Sequence, residues 1–130
     1  MLLMQFSEKN VDFPKIDEWQ PEEFQAHIRF MQETTAGLAA AGELVDAQGL
    51  AMPDTAKIVR SHSGGAPQVT EGPFAETKEW VAGWWIVDCE SEQRAIEIAA
   101  TVSAAPGPGG QPLDMPIEVR QVMAAPPSEL

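Results

Sequence analysis

The chain has 130 residues, with 20 acidic and 8 basic side chains and a net charge of -12. That length suits a single domain, because folding would bury roughly two-thirds of the unfolded surface around one core. The negative charge repels phosphate backbones and anionic membrane surfaces, so we expect no nucleic-acid partner. No apolar run is long enough to span a membrane.

The sparse cysteine and histidine content argues against a metal site. Cys89 is the only cysteine, so it has no partner for an internal disulfide, and no histidine stands near it at zinc spacing. The initial run MLLMQF is too short for a secretory signal and lacks a basic leader. No phosphate-cradling glycine motif is present. We therefore expect a cytoplasmic protein without metal or cofactor.

The first half of the chain predicts a strand, a helix and a second strand. The apolar run Leu2 to Phe6 is typical of a buried strand. From Pro21 to Ala41, one helical face carries the apolar residues Phe24, Ile28, Met31 and Leu38. Gly42 can supply a left-handed cap to this helix. The segment ELVDAQGL then predicts a short strand.

The second half predicts a hairpin, a long strand, a helix and a last strand. The segment AKIVRSHSGGAPQVT favours a hairpin that turns at Gly64 and Gly65. The run WVAGWWIVDC is apolar on both alternating faces, as in a strand covered on both sides. Ser91 can cap the helix EQRAIEIAATV, whose apolar stripe is Ala95, Ile96, Ala99 and Val102. A loop, SAAPGPGGQPLDMP, precedes the final strand, IEVRQV.

This order of elements predicts the fold class. Strand, helix, strand, hairpin, strand, helix and strand form an α+β fold with a ferredoxin-like split βαβ pattern and an inserted hairpin. Two helices cover only one face of such a sheet, so a homodimer stacked through the other face would cover the second. We expect one domain over residues 1–123 and a frayed tail over 124–130.

Three segments together carry a family resemblance: GELVDAQGLAMPDTAKIV, EGPFAETKEWVAGWWIVD and SEQRAIEIAATVSAAP. With the helical segment PEEFQAHIRFM in the right order before them, they resemble the YCII-related family, in particular its DGPF branch of small bacterial proteins. The similarity runs over nearly the whole chain. It implies a dimeric α+β barrel, in which two ferredoxin-like sheets face each other.

The resemblance also implies a functional centre. Members of the family look like small enzymes or ligand binders, and the YCII branch pairs a histidine of the first helix with an aspartate after the second. That histidine is similar to His27, whereas the aspartate has no counterpart in TVSAAPGPGG. The turn that names the DGPF branch begins here with Glu71 instead of aspartate. Genes of that branch often neighbour those of extracytoplasmic-function sigma factors, which implies a regulatory alternative.

His27 is the first candidate site residue. It lies one step off the centre of the apolar stripe and four residues after Glu23, so Glu23 can orient its ring. An ordinary histidine pKa of about 6.5 suits proton exchange near neutrality. The alternative interpretation is a half-buried structural histidine, satisfied by Glu23 or by a backbone carbonyl.

The stretch VTEGPFAETKEW is the second candidate. The Gly-Pro step at Gly72 stiffens an extended turn, and Phe74 can plug the core beneath it. Glu71 and Lys78 are then free to line a cleft near His27, where a carboxylate acts as base or orients the imidazole. The alternative is a structural corner whose charges are solvated.

The paired tryptophans are the third candidate. Trp84 and Trp85 can stack on a flat ligand, or they can belong to the core and a dimer interface. The functional prediction is a small organic molecule bound between the sheet and the first helix by a cofactor-independent lyase, isomerase or hydrolase. Its alternative is a non-catalytic binding or regulatory module. The predicted catalytic residues are His27 and Glu71, and the predicted binding residues are Phe74, Lys78, Trp84 and Trp85.

Overall fold

A computed structural model describes residues 1–7, 18–73 and 79–123. Over these ranges the elements follow the predicted order. They are β1 Leu2–Ser7, α1 Pro21–Ala40, β2 Leu44–Gly49, β3 Lys57–Arg60, β4 Gln68–Glu71, β5 Glu79–Val87, α2 Glu92–Ser103 and β6 Ile117–Val119. Residues 8–17 and 74–78 and the predicted tail 124–130 lie outside the described residues.

Four strands form one antiparallel sheet in the order β2-β5-β1-β6, and β3 pairs with β4 in a separate hairpin. This arrangement confirms the predicted α+β, ferredoxin-like fold with an inserted hairpin. In the sheet, Leu2 of β1 stands opposite Trp85 of β5 and Val119 of β6. Directly opposite residues point to the same face, so this register defines one apolar face across three strands.

Both helices pack on that one face. The buried cluster is Leu2, Leu38, Trp85, Ile98, Ala99 and Val102, which come from β1, α1, β5 and α2. Because side chains alternate along a strand, the neighbours Leu3 and Trp84 point to the other face, where they are paired with each other. The sheet therefore has one face covered by the two helices and a second face, called here the open face, that no described helix covers; Trp85 lies on the first and Trp84 on the second.

The buried face of α1 matches only half of the apolar stripe expected from the sequence, because Met31 and Leu38 face the core but Phe24 and Ile28 do not. His27 and Leu38 are buried, whereas Phe24 and Ile28 are 41% and 39% exposed. The inward face follows positions 27, 31 and 38, because the sheet fixes the rotation of the helix about its axis. Outside it, a shallow depression of about 330 Å³ is lined by Phe24, Gln25, Ile28, Arg29 and Gln32.

The second helix begins as predicted, since the Ser91 hydroxyl accepts a hydrogen bond from the backbone N–H of Arg94. Its predicted stripe is partly wrong: Ile96 is 45% exposed, and Ile98 is buried instead. Ile98 lies three residues after Ala95 and four before Val102, which is the ordinary helical spacing of a single face. The Pro- and Gly-rich loop after α2 contains a 3-10 turn at Pro108–Gly110, and β6 is shorter than expected.

An ion pair ties the start of β2 to α2. Arg94 donates two hydrogen bonds of 2.9 Å to the carboxylate of Glu43, and a longer one of 3.5 Å to Glu97. The hydrogen bond from Arg94 is the main reason that the pKa of Glu43 lies below its ordinary value; the positive charge adds to this, and desolvation opposes it.

The lowered pKa of Glu43 predicts a specific acid sensitivity. A carboxyl group with a lowered pKa in the folded state stabilises above its unfolded pKa, near 4.3, and loses that contribution as pH falls through the folded value. We therefore expect Glu43→Gln to lower the melting temperature at pH 7, and the gap to the wild type to close as pH falls below about 4. Glu97→Gln is the matched control, because its contact with Arg94 is long and exposed. A gap for Glu43→Gln that is constant with pH would contradict the prediction.

Candidate functional site

The candidate site is centred on His27, which α1 places on its inward face. The side chain is 7% exposed, and its Nδ1 lies 3.0 Å from the carbonyl oxygen of Pro106, in the loop after α2. A carbonyl oxygen only accepts hydrogen bonds, so Nδ1 carries the proton and donates it. In the neutral ring the lone pair is then on Nε2, which no hydrogen bond from a described residue occupies.

Trp19 forms a wall of the same site just before α1 begins. Its ring meets that of His27 edge to face, with centroids 5.5 Å apart and planes inclined by 86°. Such T-shaped contacts are a preferred arrangement of aromatic pairs. The imidazole is therefore held at Nδ1 by a carbonyl group and against one side by an indole.

Glu23 lies one turn before His27, and this spacing suggested a hydrogen bond to the imidazole, but its described partners are backbone N–H groups. One carboxylate oxygen accepts a hydrogen bond from the backbone N–H of Gln20, and the other from that of Gly109, both at 3.3 Å. The first bond caps the start of α1, and the second joins the helix to the loop that carries Pro106. The described hydrogen bonds of Glu23 thus go to the backbone rather than to the imidazole.

The loop after α2 is itself internally bonded. Pro106 and Pro112 form an isolated bridge, and the N–H of Gly107 donates to Gln111 O at 2.7 Å. Gly107 also packs closely on Leu113, so that a Cβ at position 107 would lie only 2.5 Å from the Leu113 side chain. The carbonyl that meets His27 therefore belongs to a fixed loop.

The two candidate tryptophans have different surroundings. Trp85 is 5% exposed on the helix face, and its Nε1 donates to the hydroxyl of Thr35 on α1 at 3.4 Å. Trp84 is half-buried on the open face, where its Nε1 donates to Asp46 of β2 at 3.2 Å. Since the sheet separates the two rings, a single small molecule bound to one chain cannot contact both.

The comparisons with known proteins agree with this architecture. The model of the YCII-related domain family matches residues 1–107. The chain belongs to the YCII-related family. One similar protein is an uncharacterized protein of Rhizobium meliloti (strain 1021), which is 34% identical over 112 residues, or 86% of each chain.

In this YCII-related chain, the described partner of Glu71 is Lys57 and not His27. It ends β4, and its side chain is 79% exposed and ion-paired with Lys57 across the hairpin. Among the described contacts, none joins Glu71 to His27. Phe74 and Lys78, the other predicted residues of this stretch, lie outside the described residues.

Two parts of the site were absent from the sequence prediction. Trp19 carried no spacing signal, because it precedes the helix by only two residues and lies in a stretch without periodicity. The Pro106 carbonyl is a backbone group, which no side-chain motif can reveal. The alternative interpretation from the sequence, a structural histidine hydrogen-bonded to a backbone carbonyl, agrees with the contact of Nδ1 with Pro106.

Neither a metal-binding cluster nor a membrane-spanning helix is found among residues 1–7, 18–73 and 79–123. Within the described ranges, no three His, Cys, Asp or Glu side chains come together in a way that would hold a metal ion. Neither α1 nor α2 combines the length and apolar character that a membrane-crossing helix requires. Cys89 is a free, half-buried thiol beside the start of α2.

Proposed function

We propose that this YCII-related chain binds a small organic molecule beside His27 and acts on it as a cofactor-independent lyase, isomerase or hydrolase. The observation that supports this most is the fixed, buried imidazole, bonded through Nδ1 to the Pro106 carbonyl. Its neutral form presents Nε2 as a proton acceptor. A positioned general base of this kind typically contributes about 10²–10⁴-fold to a rate.

The other predicted site residues have supporting roles in this proposal. The carboxylate of Glu71 assists the imidazole of His27 as a base or by orienting the ring. This role requires Glu71 to be released from its ion pair with Lys57 in the hairpin. Phe74 and Lys78 contribute to substrate binding from the same stretch. Of the two tryptophans, only Trp85 lies on the helix face, so it is the one that can contact a ligand beside His27; Trp84, on the opposite face, belongs to the proposed dimer interface instead.

The proposal is tested by separating the two nitrogens of His27. In His27→Asn the amide nitrogen can still donate to Pro106, but nothing replaces Nε2; His27→Ala removes both functions. A thermal-shift screen of aromatic, lactone and keto-acid metabolites against the wild type identifies a ligand. We expect His27→Asn to remain folded, to bind that ligand at least about tenfold more weakly and to lose turnover by about 10²–10⁴-fold.

The comparison of variants also identifies a structural histidine. If His27→Asn binds and converts the ligand as well as the wild type while His27→Ala loses stability, the ring serves only to hold the loop, and the catalytic proposal is wrong. His62→Ala, in the exposed hairpin tip, controls for loss of a histidine as such. It should leave binding and turnover unchanged.

A second candidate function is a non-catalytic binding or regulatory module. The observation that favours it is that the loop after α2 offers His27 a neutral carbonyl, where the resemblance implies an aspartate. Ala105, directly before Pro106, is fully buried and carries no carboxylate. Membership of the DGPF branch, with its sigma-factor neighbours, belongs to this candidate. Binding of a ligand without conversion, in wild type and at saturating ligand, would select it over the enzyme.

We also infer a cytoplasmic homodimer formed through the open sheet face. The free thiol of Cys89 suits a reducing compartment, and the open face carries an apolar centre of Leu3, Trp84 and Ile86. No described helix covers that centre. Apolar surface of this kind is typical of a face that packs against a partner.

Ile86→Lys tests this interface. The new ammonium group stands opposite Asp46, so the monomer can accommodate it, whereas an apposed sheet would have to bury an additional charge. We expect sedimentation to show a dimer for the wild type and a monomer for Ile86→Lys. Val45→Lys, at a site that is 62% exposed, is the control and should leave the dimer intact. A monomeric wild type would refute the interface.

A further inference from the structure

Glu23 links α1 to the loop that contacts His27. Its carboxylate joins the backbone N–H of Gln20, at the start of the helix, to the N–H of Gly109. Gly109 lies three residues after Pro106, whose carbonyl accepts the Nδ1 hydrogen bond of His27. Glu23 and His27 therefore hold the same loop from the same face of α1, one turn apart.

The loop between these two contacts is stiff enough to transmit position. The N–H of Gly107 donates to Gln111 O, the N–H of Gly110 donates to Gly107 O, and Pro106 is bridged to Pro112. Three prolines, Pro106, Pro108 and Pro112, fix further backbone angles in the same stretch. A restraint on Gly109 is thus a restraint on the carbonyl of Pro106.

We propose that Glu23 is a positioning residue that sets the tautomer of His27 through this loop. By holding Gly109, it keeps the Pro106 carbonyl within 3.0 Å of Nδ1, so the proton of the neutral ring stays on Nδ1 and Nε2 remains an acceptor. The functional consequence rests on the proposed role of His27 as a base, whereas the effect on the tautomer does not.

The simpler account of Glu23 is a helix cap without influence on the ring. Its hydrogen bond to Gln20 N is of that kind, and its loss would cost helix stability only. The two accounts differ in what they predict for the imidazole. If Glu23 is only a cap, its loss leaves the tautomer ratio of His27 unchanged in a folded variant. If Glu23 is a positioning residue, its loss changes that ratio.

Nitrogen NMR of histidine-labelled protein, recorded at about pH 8.5 where histidine rings are normally neutral, distinguishes the two accounts. The chain has two histidines, so the exposed His62 serves as an internal reference. The wild type should show the Nδ1–H tautomer at His27. In Glu23→Ala the ratio of Nδ1–H to Nε2–H should fall by roughly two- to tenfold, as expected when one hydrogen bond is weakened or lost.

Two further variants make the test specific. Glu23→Gln has one acceptor oxygen for two backbone donors, so it should lie between wild type and Glu23→Ala and remain informative if the alanine variant folds poorly. Glu22→Ala removes the same charge from the neighbouring exposed position and should match the wild type. Unchanged His27 signals in a folded Glu23→Gln or Glu23→Ala would overturn the proposal. Equal changes in the Glu22 and Glu23 variants would also overturn it.

The outcome separates this inference from the proposed function. A tautomer shift in the Glu23 variants together with full activity of His27→Asn supports the positioning role and refutes the base. An unchanged His27 tautomer ratio in the Glu23 variants, together with an inactive His27→Asn, supports the role of His27 as a base and refutes the positioning role of Glu23.

Discussion

Trp85→Ala is expected to lower the free energy of unfolding by about 3–5 kcal/mol, since it removes the largest side chain of the core. Trp85 is 5% exposed and packs in one cluster with Leu2 of β1 and Val102 of α2. A loss of this size is a large part of the 5–15 kcal/mol that usually stabilises a domain. Urea unfolding followed by far-ultraviolet circular dichroism, at a fixed protein concentration, measures it.

Two controls accompany that measurement. Trp85→Phe keeps an aromatic ring in the core but loses the indole hydrogen bond to Thr35, so it should cost clearly less than the alanine variant. Val45→Ala, on a side chain that is 62% exposed, should change the free energy by no more than about 0.5 kcal/mol. A cost below about 1 kcal/mol for Trp85→Ala would show that this ring is not part of the core.

Gly83→Ala is expected to lower the free energy of unfolding by about 1–3 kcal/mol through overpacking between β2 and β5. A Cβ at Gly83 would lie 2.7 Å from the carbonyl oxygen of Gln48, which is a backbone atom and cannot rotate away. The two strands would have to separate where they are hydrogen-bonded. Comparison of urea midpoints and slopes with the wild type checks this prediction.

The partner of Gly83 provides its matched control. Gly49 stands directly opposite it in the register, and a Cβ there would meet no atom within 4 Å. Gly49→Ala should leave the free energy of unfolding unchanged or raise it by up to about 1 kcal/mol, since alanine loses less entropy on folding. Equal losses of stability in the two variants would contradict the prediction. The effect at Gly83 would then come from strand entropy or solvation and not from the close contact with Gln48.

Much of the fold was predictable because its signals are local. The two-faced run around Trp84 and Trp85 identified the sheet strand β5, and Ser91 identified the start of α2. The rotation of each helix was less predictable. Phe24 and Ile96 are as apolar as the residues that are buried, and only contact with the sheet selects His27 and Ile98 for the inside.

The candidate site was predictable to a smaller extent. His27 was identified as a candidate, and its central place on the buried face of α1 gives it a defined environment. Its grouping with Glu71 is not seen in the described contacts, because the hairpin holds Glu71 on Lys57. Trp84 and Trp85 were both assigned to ligand binding, yet alternation along a strand must place adjacent side chains on opposite faces.

The sequence by itself determined the elements, their order and the residues able to carry proton chemistry, since strand and helix periods and caps act over a few neighbouring residues. Only the tertiary structure decided what surrounds those residues. The Pro106 carbonyl lies 79 positions from His27, and Gly109 lies 86 positions from Glu23. Contacts at such separations depend on how the helices pack on the sheet and on where the loop after α2 returns, and no local pattern encodes that path.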